Sequence, residues 1–65
     1  MSTVRATVGT RQFQADSWIR LVASVLFAFG KHAPRNERRH AADQLRTGVT
    51  VVIGGVLIKP EGARE

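Results

Sequence analysis

The first apolar pattern of the chain is an alternation of valine, alanine and phenylalanine with polar residues over positions 3–15. Gly9-Thr10 interrupts this alternation, and a glycine followed by a small polar residue suits a type II′ turn. A two-residue loop pairs Val8 with Arg11 and puts the apolar side chains of both strands on one face. A single uninterrupted strand would put Val8 and Phe13 on opposite faces. The pattern therefore predicts a β-hairpin.

The next apolar positions recur with the period of an α-helix. Asp16 or Ser17 can cap the N-terminus of this helix, which is predicted to run to about Phe29, and Gly30 suits its C-terminal cap. A narrow stripe is predicted to face the core and consists of Trp18, Val22, Val25 and Phe29, with Ile19, Leu21 and Leu26 beside it. Phe27 lies on the opposite side of the helix, where a helix packed on one sheet faces water.

A second helix is predicted to begin at Pro34 and to end at Thr47-Gly48, after a loop around residues 30–33. Its apolar side is thin and consists of Pro34, Ala41, Ala42 and Leu45. The spacing i, i+4, i+7, i+11 puts one row on the helix surface, formed by Arg35, Arg39, Ala42 and Arg46, with Arg38 toward the inner flank. Like charges one turn apart destabilise a helix, so an anion lying across the row would explain it. A solvated face is the alternative.

β-branched residues dominate the last apolar block, which begins at Val49 and is divided by Gly54-Gly55. Two consecutive glycines suit a type I′ turn, which pairs Ile53 with Val56. Both faces of this hairpin are largely apolar, so a sheet covered on both faces, or an interface, is implied. The alternative is one longer strand with a glycine kink. Residues 60–65 are assigned to a flexible tail.

These elements predict a single small α+β domain over residues 1–65, in the order β-hairpin, two-helix hairpin, β-hairpin (ββααββ), with a small antiparallel sheet packed on helices. A chain of this size gains marginal stability from one core, and this chain has no cysteine for a disulfide or a thiolate metal site. His32 and His40 are too few for a structural zinc. We therefore expect no metal or cofactor, and self-association as an additional source of stability. The candidate interface consists of Phe27, Ala23 and Arg20.

The net charge of the chain indicates which class of partner it binds. The chain has 10 Lys and Arg against 5 Asp and Glu, a formal net charge of +5. This balance favours nucleic acid or an acidic protein surface as the partner. Most of the cations are arginine, which makes flat bidentate contacts with phosphate and carboxylate. The alternative is that the positive excess only keeps a small domain soluble. The candidate polyanion-binding residues are Arg35, Arg38, Arg39, Arg46 and Lys31.

The sequence offers few residues in an arrangement typical of a catalytic site. The carboxylates are scattered, and neither glycine pattern forms a phosphate-binding loop. A pocket of catalytic size is also hard to build in so few residues, so we expect a non-enzyme without a small-molecule substrate. The longest apolar run, interrupted by Arg20 and Ser24, is shorter than the ~20 residues that span a bilayer. We expect a cytoplasmic chain without a targeting segment or a membrane partner.

Three functions fit these observations, and two rank above the third, a peripheral membrane protein with basic residues near Trp18 and Phe27, because its polar face is weakly basic. The first is a small oligomeric protein whose arginine-lined helix binds nucleic acid or another polyanion, with little discrimination between base sequences. The alternative is an accessory protein of the phage or mobile-element type that binds and inhibits a larger host protein or nucleoprotein complex. Phe27 and the second hairpin would then supply the interface, with arginines at its rim. The sequence leaves both open.

Overall fold

The computed structural model describes residues 3–61. Six elements follow one another as β1 (Val4–Val8), β2 (Arg11–Ala15), α1 (Trp18–Ala28), α2 (Arg35–Arg46), β3 (Val51–Ile53) and β4 (Val56–Glu61). The strands form one antiparallel sheet in the order β2-β1-β4-β3, and both helices pack on one face of it. The α+β fold class and the ββααββ order predicted from the sequence are confirmed.

The first hairpin has the register that its turn predicts. Val8 lies opposite Arg11, and Ala6 lies opposite Phe13. Gly9 has a φ of 63°, and no residue other than glycine has a positive φ in the described part of the chain. A positive φ at only the first central position is the geometry of a type II′ turn, whose twist matches that of the two strands.

The second hairpin also forms, so the alternative of one longer kinked strand is wrong. Gly54 and Gly55 both have positive φ values, 59° and 79°, as a type I′ turn requires. Ile53 lies opposite Val56 across this turn. An added Cβ on Gly54 would lie 3.1 Å from Leu26 Cδ2, so the turn packs closely under the end of α1.

The two hairpins join through their first and last strands, with Thr7 of β1 opposite Lys59 of β4. Pro60 is accommodated in this central strand because its missing N–H lies on the side where β3 has already ended. Pro60 and Glu61, which the sequence analysis assigned to the flexible tail, therefore belong to the sheet. The remainder of that predicted tail, residues 62–65, lies outside the described residues.

The ends of both helices are built by local hydrogen bonds. The Ser17 side chain accepts a hydrogen bond from the backbone N–H of Arg20 at 3.4 Å, which caps α1. Past the other end of α1, Gly30 has a φ of 66°, and the backbone N–H of Lys31 donates to the carbonyl of Leu26 at 2.8 Å. This is a Schellman motif, and it fixes the direction in which the chain leaves α1.

The second helix begins one residue later than predicted. Pro34 is its N-cap rather than its first helical residue, and no side chain caps this end. The C-terminus of α2 repeats the Schellman motif of α1, with Gly48 at a φ of 90° and the N–H of Val49 donating to the carbonyl of Gln44 at 3.0 Å.

The core lies between the sheet and the two helices. Its largest fully buried side chains are Leu21, Val22, Val25, Leu45 and Ile58. The stripe predicted for α1 is correct at its centre, but its end residues, Trp18 and Phe29, are only partly buried. Because α1 contacts α2 as well as the sheet, its buried sector is wider than one stripe and includes Leu21 and Leu26.

The other face of the sheet carries no helix in the described chain. Val52 is 66% exposed there and Leu57 47% exposed. Nearby, the side chains of Thr7 and Gln12 both donate hydrogen bonds to the carboxylate of Glu61. Residues 3–61 therefore do not cover both faces of the second hairpin, and an interface on its outer face stays a prediction.

Candidate polyanion-binding site

A shallow groove runs between the outward sides of α1 and α2. It consists of two adjoining pockets of about 330 Å³ and 210 Å³, which share Arg38. We call it the interhelical groove. Its lining comprises Ile19, Ala23, Leu26 and Phe27 of α1, Lys31, His32 and Ala33 of the loop, and Arg35, Arg38, Arg39, Ala42 and Asp43 of α2.

The orientation of α2 brings the arginines into this groove. Ala41, Ala42 and Leu45 are its buried residues and turn one side of the helix toward the core. At about 100° per residue, Arg35 and Arg39 then lie on the flank that faces α1, and Arg38 lies closer to the core. The rotation of α2 about its own axis that buries its few apolar residues thus also turns its arginine flank toward α1.

The cations of the groove lack carboxylate partners in the described part of the chain. No Asp or Glu of residues 3–61 lies within salt-bridge distance of Arg35, Arg38, Arg39 or Lys31. Arg38 is half-buried, and its Nε is buried without a hydrogen-bond partner. A buried donor without a partner is unfavourable, so an acceptor brought by a ligand would stabilise it.

The predicted arginine row extends past the two pockets of the interhelical groove. Arg46 forms a salt bridge with Asp43 at 3.3 Å, and both side chains are about 70% exposed. Arg46 lines a further pocket toward the beginning of α1, which shares Ile19, Ala42 and Asp43 with the first pocket of the groove. Four of the five predicted polyanion-binding residues therefore line the interhelical groove, and Arg46 continues the row into the adjoining pocket.

Two of the three predicted interface residues line the same groove. Phe27 is 88% exposed at its rim, as its position on the helix predicts, and Ala23 lies beside it, partly buried. Arg20 is exposed on the outward side of α1 and does not line either pocket. Ile19, expected beside the core stripe, is instead 39% exposed and faces the arginines of α2.

The N-terminus of α2 lies beside the interhelical groove. The first N–H groups of any α-helix have no partner within the helix, and Pro34 supplies no side-chain cap here. The helix dipole adds partial positive charge at this end, next to Arg35 and Arg38. Glu37 in the first turn opposes part of that charge.

Sequence reasoning missed the position of Arg11. Its guanidinium carbon lies 5.1 Å from the ring centroid of Phe13 and 5.4 Å from that of Phe29. The two rings are themselves 6.0 Å apart. This cation–π contact joins β2 to the end of α1. Because the two elements are predicted from separate stretches of sequence, no local motif predicts the contact. Arg11 is therefore a structural cation outside the groove.

Metal-ligand clusters and membrane-spanning helices are two other features by which the described residues could indicate a function. Over residues 3–61, no three His, Asp or Glu side chains are grouped so that they could hold a metal ion. Neither helix of that part of the chain has the length and the hydropathy of a bilayer-spanning segment.

Comparison with known proteins gives no relative from which a site could be transferred. No protein-family model matches the chain, and no significant match was found among curated proteins or solved structures.

Proposed function

We propose that this protein is a small non-enzymatic binding protein and that its interhelical groove binds a polyanion, with nucleic acid as the favoured class. The observation that carries the proposal is the set of four groove cations, Arg35, Arg38, Arg39 and Lys31, which have no carboxylate partners among residues 3–61. Asp43 is the only acidic residue in the lining.

The shape of the groove favours a backbone contact over base recognition. It is shallow and open, and its exposed aromatic side chain is the single ring of Phe27. Binding of single strands by successive base stacking needs several such rings. Phosphate contacts by arginine and lysine give affinity that falls with salt and varies little between sequences. Duplex nucleic acid bound through its phosphates is thus the ligand that this surface fits.

A salt titration tests the proposal. Four phosphate contacts on duplex DNA give a slope of log affinity against log salt of about −3.6 per chain, at about −0.9 per contact. Arg39→Gln removes one contact and brings the slope to about −2.7. The measurement is fluorescence anisotropy of two labelled duplexes of different sequence, which should be bound about equally well.

Arg5→Gln is the matched control. Arg5 is also exposed, but it lies on the first strand of the sheet, outside the groove lining. Its loss removes the same formal charge and should leave the slope within experimental error. Equal effects of Arg39→Gln and Arg5→Gln would show that only net charge matters and would contradict the groove assignment.

A second candidate function rests on Phe27. An aromatic side chain that is 88% exposed beside unpaired arginines resembles the hot spots and rims of protein interfaces. In this case the groove binds an acidic face of a larger protein and inhibits that protein. This function predicts negligible affinity for duplex DNA even at low salt. Phe27→Ala would then abolish capture of the protein partner, whereas it would change DNA affinity little under the first proposal.

A further inference from the structure

The free edge of the sheet at β3 is three residues long. Natural sheets limit pairing at such edges by keeping them short, or with lysine, proline, a bulge or a covering element. The segment from Thr47 to Ile58 contains no charged residue and no proline. The opposite edge of the sheet, β2, carries Arg11 and two glutamines, Gln12 and Gln14.

The backbone groups on the β3 edge follow from the second hairpin. A type I′ turn closes with a hydrogen bond between Ile53 and Val56, so the polar backbone groups of Ile53 face β4. Because hydrogen-bonding directions alternate along an antiparallel strand, the N–H and C=O of Val52 point away from β4. The central residue of β3 thus offers one donor and one acceptor to an incoming strand.

The side chains at this edge are apolar as well. Val52 is opposite Leu57 in the hairpin register, and the two side chains are 66% and 47% exposed on the outer face. On the helical side, a groove of about 350 Å³ separates the β3 edge from α2. The α2 residues that line this groove include Glu37, His40 and Gln44.

We propose that β3 pairs with β3 of a second copy of this chain, antiparallel and centred on Val52, to give one continuous eight-stranded sheet. The proposal does not depend on the interhelical groove or its ligand. Val52 of each copy donates its N–H to the carbonyl of Val52 of the other. On the outer face, an apolar row then runs across the two-fold axis from Leu57 through both Val52 side chains to Leu57 of the second copy.

The distribution of charge makes β3 the edge at which a second copy can approach. Two chains of net charge +5 repel each other, so they can approach most easily where cations are absent. The segment from Thr47 to Ile58 is uncharged, and the α2 flank beside β3 carries Glu37. The arginines line the other side of α2. A two-fold axis perpendicular to the sheet keeps both helical layers on one side, so both interhelical grooves stay open on the same face of the dimer.

Site-specific cross-linking tests the register, because the chain has no native cysteine. In a hydrogen-bonded antiparallel pair the two Cα atoms are about 5.5 Å apart, which suits a disulfide. Val52→Cys should therefore form a covalent dimer rapidly under mild oxidation. Leu57→Cys is the matched control on the same face. Its two copies lie three strand spacings apart, roughly 14 Å, and should cross-link at least about tenfold more slowly.

Sedimentation of the cysteine-free protein across a wide concentration range tests the association itself. We expect a reversible dimer, and Val52→Lys should raise its dissociation constant about tenfold or more, because like charges would face each other across the axis. Circular dichroism establishes that this variant is folded, and Val52→Thr, which keeps a β-branched residue without charge, should still dimerise. Phe27→Asp should leave the dimer intact.

Three results would overturn the proposal. A wild-type protein that is monomeric at millimolar concentration has no such interface. Equal cross-linking rates for Val52→Cys and Leu57→Cys would exclude this register. A dimer lost with Phe27→Asp but kept with Val52→Lys would place the contact on α1. None of these results bears on the salt slope of Arg39→Gln, so the proposed function is tested separately.

Discussion

The attachment of α2 to the rest of the protein depends on one large side chain. Its buried residues are Ala41, Ala42 and Leu45, and Leu45 is 0% exposed. Leu45→Ala removes that side chain while keeping a strong helix former at the position, so the change tests packing and not helix propensity. The helix that carries the groove arginines should then lose most of its tertiary anchoring.

The expected loss is large compared with the total stability of the domain. Truncation of a fully buried leucine to alanine costs about 2.7–5 kcal/mol, with the higher values where the cavity does not collapse. At about 0.05–0.15 kcal/mol per residue, a chain of this length has a total unfolding free energy of roughly 3–10 kcal/mol. Leu45→Ala should therefore remove about a quarter or more of the stability, and it should unfold a domain near the lower limit.

Urea denaturation measures this loss. Trp18 is the only tryptophan and contacts the core, so its fluorescence reports unfolding. Leu57→Ala is the matched control, because Leu57 is 47% exposed and loses the same atoms. At protein concentrations below those at which the proposed dimer forms, we expect Leu57→Ala to cost less than about 1 kcal/mol. If Leu45→Ala costs no more than Leu57→Ala, our account of how α2 is held is wrong.

Three further substitutions test the burial of Trp18, the packing of the second turn at Gly54 and the N-cap of α1 at Ser17. Trp18→Ala, followed by circular dichroism, should cost less than the ~3–5 kcal/mol typical of a fully buried tryptophan, because Trp18 is only partly buried; a larger loss would contradict this. Gly54→Ala should lower the melting temperature more than Gly55→Ala. Both positions have positive φ in the same turn, but only at Gly54 does a Cβ approach Leu26 Cδ2 at 3.1 Å, so equal shifts would refute the close packing. Ser17→Ala should cost about 0.5–1 kcal/mol in urea denaturation through loss of the N-cap, and no loss would mean that the 3.4 Å contact contributes nothing.

The parts of the fold that the sequence predicts are those fixed by short-range chemistry. Gly9 and Gly54-Gly55 dictate turn types, and each turn type fixes the register of its own hairpin. The helix ends follow similarly from Ser17, Gly30 and Gly48. The pairing of β1 with β4 has no such local signal. It depends on the first and last strands being brought together by the helices between them, and the prediction of a tail from residue 60 failed for this reason.

In the candidate site, too, some features follow from local sequence and others only from tertiary packing. The helical period alone placed Arg35 and Arg39 on one flank of α2, and it placed Phe27 on the outward side of α1. Whether Arg46 shares that site depends on where α1 begins relative to the C-terminal end of α2, and this is a property of tertiary packing. Lys31 is close to the arginines of α2 because the chain turns back after α1. Ile19 turned outward for a related reason, since α2 covers only part of that flank.

The central position of β1 and β4 has a consequence for how the protein folds. The partners Thr7 and Lys59 are about fifty residues apart in the chain, so their pairing closes a long loop and raises the contact order of an otherwise local fold. On the ribosome, the N-terminal hairpin is complete long before β4 is synthesised. Until then both strands of that hairpin have a free edge, and helices without the second hairpin expose Leu45. Folding of the whole domain therefore cannot be completed before β4 is available, and the strands made first wait longest for their partner.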